Sequence, residues 1–197
     1  YGEDPHHVGE LGAALTRGLQ RHVMACVKHL ACNSMENARF SVDIEIDDVA
    51  LHEVYLPHFR RVVDTGVASV MSAYNSVNGD WCGQNRELLT NVLRNEWGFE
   101  GFVISDWLFG LRDAARSLDA GLDIEMPYRM VRAQHLRGAL ERGESSWADV
   151  DRAVERIVST LLRFDGALSA PSPPAEVLGS PEHRALALRA ARESIVL

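Results

Sequence analysis

Short apolar runs alternate with longer helical segments along this chain, and that alternation restricts the fold more than any other feature. The helical segments carry apolar residues at helical spacing and begin at capping residues such as Asp4, Asp47, Asn85 and Ser146. Strands that alternate with helices run parallel and are joined by helical crossovers, which predicts an α/β fold. The four apolar runs are residues 23–30, 68–75, 101–107 and 121–127.

Four strand–helix units amount to about half of an eight-stranded (β/α)8 barrel of the TIM type, which has about 250 residues. A small doubly wound sheet is the alternative architecture. No GxGxxG or phosphate-binding loop follows any of the four runs, which counts against that alternative. We therefore predict that residues 1–168 form part of a (β/α)8 barrel, about its second half.

The segment 169–174 is rich in Pro and Ser and has the composition of a linker. A helix start follows at Ser180-Pro181, and the apolar residues 195–197 are typical of the beginning of a strand. A lone strand cannot satisfy its backbone groups. We therefore expect residues 169–197 to lead into a second α/β domain, truncated in this chain, and the first half of the barrel to precede residue 1.

Composition excludes several classes of partner. A formal net charge of −8 argues against binding to nucleic acid or to anionic membrane surfaces. No apolar run approaches the roughly 20 residues that a membrane-spanning helix needs. The three cysteines, Cys26, Cys32 and Cys82, are odd in number and have no metal-type spacing. Two of them lie in apolar or near-strand contexts, which favours buried thiols, and the count hints at a reducing compartment such as the cytoplasm. We expect neither a metal nor an organic cofactor.

Polar side chains collect where each predicted strand ends, and Asp106 is the most telling of them. In parallel α/β folds and barrels these carboxyl-terminal ends share one face, where functional residues gather. An Asp at such a position can also simply cap the next helix. The strand ends offer Lys28 and His29, Tyr74 and Asn75, Asp106 and Trp107, and Asp123 and Glu125, and the first loop adds Glu36 and Arg39.

This set of residue types suits the chemistry of a sugar. Cationic and hydrogen-bonding neighbours favour an ionised carboxylate, which makes Asp106 a candidate nucleophile. Trp107 supplies an apolar surface for the C–H face of a sugar ring. Lys28, His29 and Arg39 supply donors for its hydroxyls.

Each residue also has a structural interpretation when taken alone. Lys28 could form a salt bridge, Arg39 could lie in a surface loop, and Tyr74 could be a core aromatic. Asp123 and Glu125 more often brace the barrel or cap its last helix. Lys28 is also the only lysine in the chain, which leaves open a Schiff-base aldolase that uses a buried lysine.

Seven motifs follow one another along the chain. They are Gly2-Glu3-Asp4-Pro5, Lys28-His29-Leu30 with Asn33, Glu36 and Arg39, Leu51-His52-Glu53-Val54-Tyr55-Leu56-Pro57, Met71-Ser72-Ala73-Tyr74-Asn75 with Val77-Asn78-Gly79, Leu93-Arg94-Asn95-Glu96-Trp97-Gly98-Phe99, Ser105-Asp106-Trp107 and Gly121-Leu122-Asp123-Ile124-Glu125-Met126-Pro127. In type and order these motifs resemble glycoside hydrolase family 3, the two-domain β-glucosidase type. The resemblance covers nearly the whole chain.

The resemblance implies a retaining glycosidase that cleaves terminal β-linked sugars, with Asp106 as the nucleophile of a covalent glycosyl-enzyme intermediate. It implies that Lys28, His29, Arg39 and Tyr74 hold the sugar and that Trp107 is its platform. Retention requires a second carboxyl group about 5 to 5.5 Å away, which in this family comes from the second domain. We therefore expect the 197-residue chain alone to be inactive. A non-catalytic carbohydrate-binding or scaffold relative is the alternative.

Overall fold

Three parallel strands form the central sheet, and their order in space follows their order in the sequence. β1 (Cys26–Leu30) pairs with β3 (Ser69–Ser72), and β3 pairs with β6 (Phe102–Ile104). These strands lie within three of the predicted runs. The computed structural model describes residues 1–195, so most of the strand start predicted at 195–197 lies outside the described residues; Ile195 itself is in neither a helix nor a strand.

The fourth predicted strand, residues 121–127, is reduced to a single parallel bridge between Ile104 and Ile124. The physical reason is the side chain of Asp123. Its Oδ2 accepts the backbone N–H of Val103 at 2.7 Å. In a regular β-ladder that N–H would instead donate to a backbone carbonyl of the neighbouring strand. The segment nevertheless follows β6 in space, so the sheet order continues without reversal.

Helices fill the connections between these strands, and the predicted caps are confirmed. Asp4, Asp47, Asn85 and Ser180 each accept backbone N–H groups at a helix start, and Ser146 forms a reciprocal capping box with Asp149. The α-helices are α1 Pro5–Leu19, α2 Asp48–Ala50, α3 Pro57–Val63, α4 Ala114–Asp119, α5 Val131–Glu141, α6 Trp147–Arg163, α7 Asp165–Leu168 and α8 Pro181–Glu193. Wider π-type turns cover Leu51–Tyr55 and Glu87–Glu96, and short 3-10 turns cover Glu36–Ala38, Cys82–Gln84 and Ala175–Val177.

A second, smaller sheet forms between the predicted strands. It contains β2 (Asp43–Ile44), β4 (Ser76–Val77) and β5 (Asp80–Trp81), with β4 and β5 joined by the Asn78-Gly79 turn. Both turn residues have positive φ, 51° and 91°, as a tight hairpin requires. The side chain of Asn78 accepts the N–H of Ile46 and donates to its carbonyl, so β2 is held by a residue distant in sequence.

The apolar core lies between the central sheet and its helices, with Val70, Val103, Leu89 and Leu122 fully buried in it. On β1, by contrast, Cys26 and Lys28 are exposed and Val27 and His29 are only half-buried, so much of this strand is open. On the apolar side of α1, Leu11, Leu15 and Leu19 are also exposed. The helix instead packs on α3 through Gly9, where an added Cβ would lie 3.2 Å from the His58 backbone. Within residues 1–195, no helix is long and apolar enough to cross a membrane.

Candidate functional site

Asp106 lies just beyond the end of β6, with its side chain only 6% exposed. Its Oδ1 accepts the backbone N–H of Trp107 at 2.7 Å. Its Oδ2 lies 3.2 Å from His29 Nε2, but no aligned hydrogen bond reaches that oxygen from any described residue. The next helix, α4, is capped by Asp113, so Asp106 does not serve as its cap. One carboxylate oxygen is therefore anchored and the other is buried without a hydrogen-bond donor.

His29 comes from the far strand of the sheet and meets Asp106 across β3. Burial lowers the pKa of the His29 imidazole, and the negative charge of Asp106 opposes that shift. With its pKa lowered, His29 is largely neutral at neutral pH and faces Asp106 as a polar group. The predicted placement of His29 beside Asp106 agrees with this geometry.

Tyr74 follows β3 and contacts both the residue after Asp106 and the loop after β1. Its hydroxyl donates to the backbone carbonyl of Trp107 at 2.8 Å, so it holds the residue that follows Asp106. Burial raises the pKa of Tyr74, and the nearby charge of Asp106 raises it further. The phenol is thus a protonated donor at the edge of the Asp106 carboxylate, and Tyr74 is more than a core aromatic.

Arg39 belongs to the loop after β1 and is folded back onto this group. Its guanidinium pairs with Glu36 and lies 4.9 Å from the centre of the Tyr74 ring and 4.8 Å from that of Phe40. Asn33 also donates to Glu36, at 3.3 Å. These contacts orient the guanidinium over the aromatic side chains, so Arg39 is not a loose surface residue.

Lys28 is exposed on β1 and forms no ion pair with any residue from 1 to 195. With His29 it borders a polar cavity of about 550 Å³, which Glu3, Tyr55 and His58 also line. An exposed ammonium group of this kind is available to a ligand. It does not favour the Schiff-base alternative, since that chemistry depends on a buried lysine.

Trp107 turns outward directly after Asp106 and is 49% exposed. The chain reverses at Leu108, which has φ 63°, and the Leu108 N–H donates to the Met126 carbonyl at 3.1 Å. Ser105 is fully buried, and its hydroxyl accepts the N–H of Met126 at 2.9 Å. The chain is therefore bonded to Met126 both before and after the pair Asp106 and Trp107.

Asp123 braces the fold and does not face Asp106. Its carboxylate lies between Arg94 at 2.7 Å and Arg156 at 3.1 Å. Burial lowers the pKa of Arg94 to about 10. Burial also raises the pKa of Asp123, against the opposing effect of both arginines. Its contacts agree with the bracing role that the sequence favours.

Glu125 and Asn75 are likewise structural. Glu125 accepts the N–H groups of Val131 at 2.6 Å and of its two neighbours in sequence, which caps the start of α5. Asn75 is fully buried and donates to the carbonyl of Ala31 at 3.1 Å, tying the end of β3 to the loop after β1. Of the acidic strand ends, only Asp106 faces the other candidate residues.

Two glycines that the sequence analysis did not single out pack behind Asp106: Gly110 lies against the Asp106 backbone, and Gly83 lies against Gly110. A Cβ on Gly110 would lie 2.5 Å from the Asp106 carbonyl oxygen and 2.6 Å from its nitrogen. A Cβ on Gly83 would lie 2.1 Å from the Gly110 carbonyl oxygen. Neither glycine has positive φ, so close approach alone requires glycine here. The contact between Gly83 and Gly110 joins loops distant in sequence, so no local signal identifies it.

The three cysteines are free thiols. Burial raises the pKa of Cys32 to about 11 and that of Cys82 to about 12, which makes both inert at neutral pH. Cys26 is exposed.

Among residues 1–195, no three His, Cys, Asp or Glu side chains are grouped closely enough to hold a metal ion. A larger cavity of about 670 Å³ lies between α5 and α6, lined by Leu136, Leu140 and Trp147, and Asp106 is not part of its lining.

Comparisons with known proteins agree on one family. Residues 1–160 match the model of the glycosyl hydrolase family 3 N terminal domain. Thermostable beta-glucosidase B of Acetivibrio thermocellus is 40% identical over 200 residues, covering 100% of this chain and 26% of that protein. A beta-glucosidase of Rhizobium radiobacter is 39% identical, covering 100% of this chain and 24% of that protein.

Solved structures give the same result. Beta-glucosidase 3B from Thermotoga neapolitana in complex with glucose superimposes with a TM-score of 0.79 at 38% identity, covering 85% of this chain and 25% of that one. A beta-glucosidase from Kluyveromyces marxianus in complex with glucose gives a TM-score of 0.83 at 32% identity, covering 94% of this chain and 24% of that one. This chain thus spans about a quarter of the length of these relatives.

Proposed function

The chain belongs to glycosyl hydrolase family 3, and from this we propose that it supplies the nucleophile and part of the sugar site of a retaining β-glucosidase. The observation that carries the proposal is the convergence of His29 and Tyr74, from two other strands, on the Asp106 carboxylate. The similarity to proteins named beta-glucosidase supports glucose as the sugar.

In this proposal Asp106 Oδ2 is the attacking atom, since it is the oxygen that accepts no aligned hydrogen bond from the described residues. A bond forms between Oδ2 and the anomeric carbon while the bond from that carbon to the leaving oxygen breaks. The leaving oxygen takes a proton from a second carboxyl group in the rest of the protein. Water then gives that group a proton, attacks the anomeric carbon and releases Asp106.

The other site residues have roles that follow from their positions. Lys28 and His29 donate to hydroxyls of the bound sugar from β1, and Arg39 does so from the loop that follows. Tyr74 keeps Trp107 in place through its bond to the Trp107 carbonyl, and its hydroxyl lies beside Asp106. Trp107 is the apolar platform.

The same proposal includes the architecture and the domains. Residues 1–168 form about the second half of a (β/α)8 barrel, because the sheet order β1, β3, β6 and Ile124 does not reverse as a doubly wound sheet does. β1 is an edge strand of the described sheet, and the rest of the barrel would pair with that edge. Residues 169–197 lead towards a second domain, which agrees with the full exposure of α8.

The experiment is substitution of Asp106 in the full-length protein, assayed on 4-nitrophenyl β-D-glucoside. We expect Asp106→Ala to lower kcat by at least about 10⁴-fold, because covalent catalysis is lost. Asp151→Asn, which changes an exposed carboxylate on α6, is the matched control and should leave kcat unchanged.

A fluorinated glucoside that traps the glycosyl-enzyme intermediate should label the peptide that contains Asp106. Normal turnover by a folded Asp106→Ala variant, or a label on another carboxylate, would refute the nucleophile assignment.

A further inference from the structure

The loop after β1, residues 31–42, is anchored at its two ends by consecutive residues that follow β3. Asn75 donates from its side chain to the Ala31 carbonyl at 3.1 Å. The backbone N–H of Ser76 donates to the Val42 carbonyl, also at 3.1 Å. The ends of the loop are therefore fixed to the sheets, and the position of the stretch between them depends on other contacts.

Within that stretch, residues 32–41 bond mostly to one another, as when Arg39 donates to Glu36. Among the residues that the structure describes, a single hydrogen bond joins this stretch to another segment: Nη2 of Arg112 donates to the Phe40 carbonyl at 2.9 Å. The bond acts on the backbone directly after Arg39. Internal contacts shape the loop, but this bond fixes where the loop lies relative to its neighbours.

Arg112 is well placed to serve as an anchor. Its backbone is held on both sides, because Leu111 is buried in the core and Asp113 caps α4. Its guanidinium also lies 4.3 Å from the centre of the Trp81 ring on β5. This cation–π contact restricts an otherwise exposed side chain to one arrangement. Arg112 thereby joins the loop after β1, the β4–β5 hairpin and the segment that follows β6.

The orientation of the Arg39 guanidinium depends on Phe40, the residue that Arg112 holds. The guanidinium lies 4.8 Å from the centre of the Phe40 ring and 4.9 Å from that of Tyr74. The Phe40 ring in turn meets the Tyr74 ring edge to face at 4.8 Å. A shift of the Phe40 backbone would therefore carry the guanidinium away from its present position.

We propose that Arg112 is a positioning residue: through the Phe40 carbonyl, it holds the Arg39 guanidinium where that group donates to a hydroxyl of the bound sugar. This inference rests on the proposed function, in which Arg39 binds the sugar. The hydroxyl is present in the substrate and in the transition state alike. Loss of Arg112 therefore weakens sugar binding and leaves the chemical step unchanged.

The first experiment measures the binding of D-glucose to the full-length protein by calorimetry. We expect Arg39→Ala to weaken binding by about 30-fold, because a hydrogen bond from a charged donor is lost. Arg112→Ala should weaken it by about fivefold, because one hydrogen bond that positions the loop is lost. Arg112→Lys should restore most of the affinity, since an ammonium group can also donate to the Phe40 carbonyl.

A double substitution separates positioning from a general structural role. Arg39→Ala combined with Arg112→Ala should bind glucose no more weakly than Arg39→Ala alone, because Arg112 acts only through Arg39. If the two losses instead multiply, Arg112 supports the site independently of Arg39 and the proposal is overturned.

Arg116→Ala is the control of the same residue type. Arg116 is also exposed and contacts the same hairpin through Asp80, but it makes no hydrogen bond to the loop after β1. This variant should keep the glucose affinity of the unsubstituted protein. A loss equal to that of Arg112→Ala would assign the effect to the hairpin and would overturn the role of the Phe40 bond.

The second experiment follows turnover of 4-nitrophenyl β-D-glucoside. We expect Arg112→Ala to raise KM by about fivefold with kcat unchanged, because binding is lost equally from the ground state and the transition state. A lower kcat at unchanged KM would overturn the proposal, since Arg112 would then act on the segment that carries Asp106.

The outcomes distinguish this inference from the proposed function. Glucose binding requires no turnover, so the calorimetric test stands even if Asp106 proves not to be the nucleophile. If Arg39→Ala weakens glucose binding and Arg112→Ala does not, the inference fails and the proposed function remains. If Arg39→Ala has no effect, the role of Arg39 and the inference fail together.

Discussion

At the scale of single residues, the position of the Asp106 backbone depends on Gly110 and Gly83. We expect Gly110→Ala to lower kcat by about 100-fold in the full-length enzyme, because the added methyl group displaces Asp106 and catalysis is sensitive to shifts of about 1 Å. Steady-state kinetics on 4-nitrophenyl β-D-glucoside, with circular dichroism to confirm folding, measure this. We expect a similar loss for Gly83→Ala.

Gly18→Ala is the control for this substitution, since a Cβ there meets no atom within 4 Å. That variant should keep full activity, and it should be slightly more stable because alanine favours the helix. A folded Gly110→Ala enzyme with unchanged kcat would contradict the positioning role of Gly110.

At the scale of secondary-structure elements, Asp123 links the end of the sheet to the helices behind it. It bonds to β6 through Val103, to the Glu87–Glu96 helix through Arg94, and to α6 through Arg156. We expect Asp123→Asn to lower the free energy of unfolding by about 3 to 5 kcal/mol, because it leaves two arginines without their buried counter-charge. Urea unfolding of the purified protein measures this loss.

Asp119→Asn is the matched comparison, because Asp119 pairs with Arg86 in an exposed ion pair. It should change the free energy of unfolding by about 1 kcal/mol at most. If both substitutions lowered the free energy of unfolding equally, the ion pairs of Asp123 would not stabilise the packing of these elements.

At the scale of the whole molecule, apolar helix faces remain uncovered at both ends of the chain's sheet. Leu11, Leu15 and Leu19 form an exposed stripe on α1, and Val154 and Val158 are exposed on α6. We expect the 197-residue chain on its own to self-associate, because contiguous exposed apolar patches promote association between copies. We also expect it to lack glucosidase activity, because it lacks the second carboxyl group that retention requires. Analytical ultracentrifugation and a glucoside assay test both expectations.

Leu15→Glu combined with Val158→Glu should reduce the association, because a charge in the contact opposes burial. Ala187→Glu on α8, an exposed position outside both stripes, is the control and should have no effect. A monomeric 197-residue chain would argue against the half-barrel boundary, and robust hydrolysis by it would refute the need for a second carboxyl group from elsewhere.

The sequence alone was sufficient for the α/β alternation, for most helix starts and for the strand end that carries Asp106, because caps, periodicity and turn residues act locally. It favoured Asp106 over Asp123 and Glu125 as the acid that faces the site, but it could not identify the partners that separate their roles. Asp106, Asp123 and Glu125 all lie towards the ends of apolar runs. Their roles differ because Arg94 pairs with the Asp123 carboxylate, and backbone N–H groups at the start of α5 donate to Glu125. The close packing of Gly83 and Gly110 and the small second sheet also depend on contacts between distant segments, which only the tertiary structure brings together.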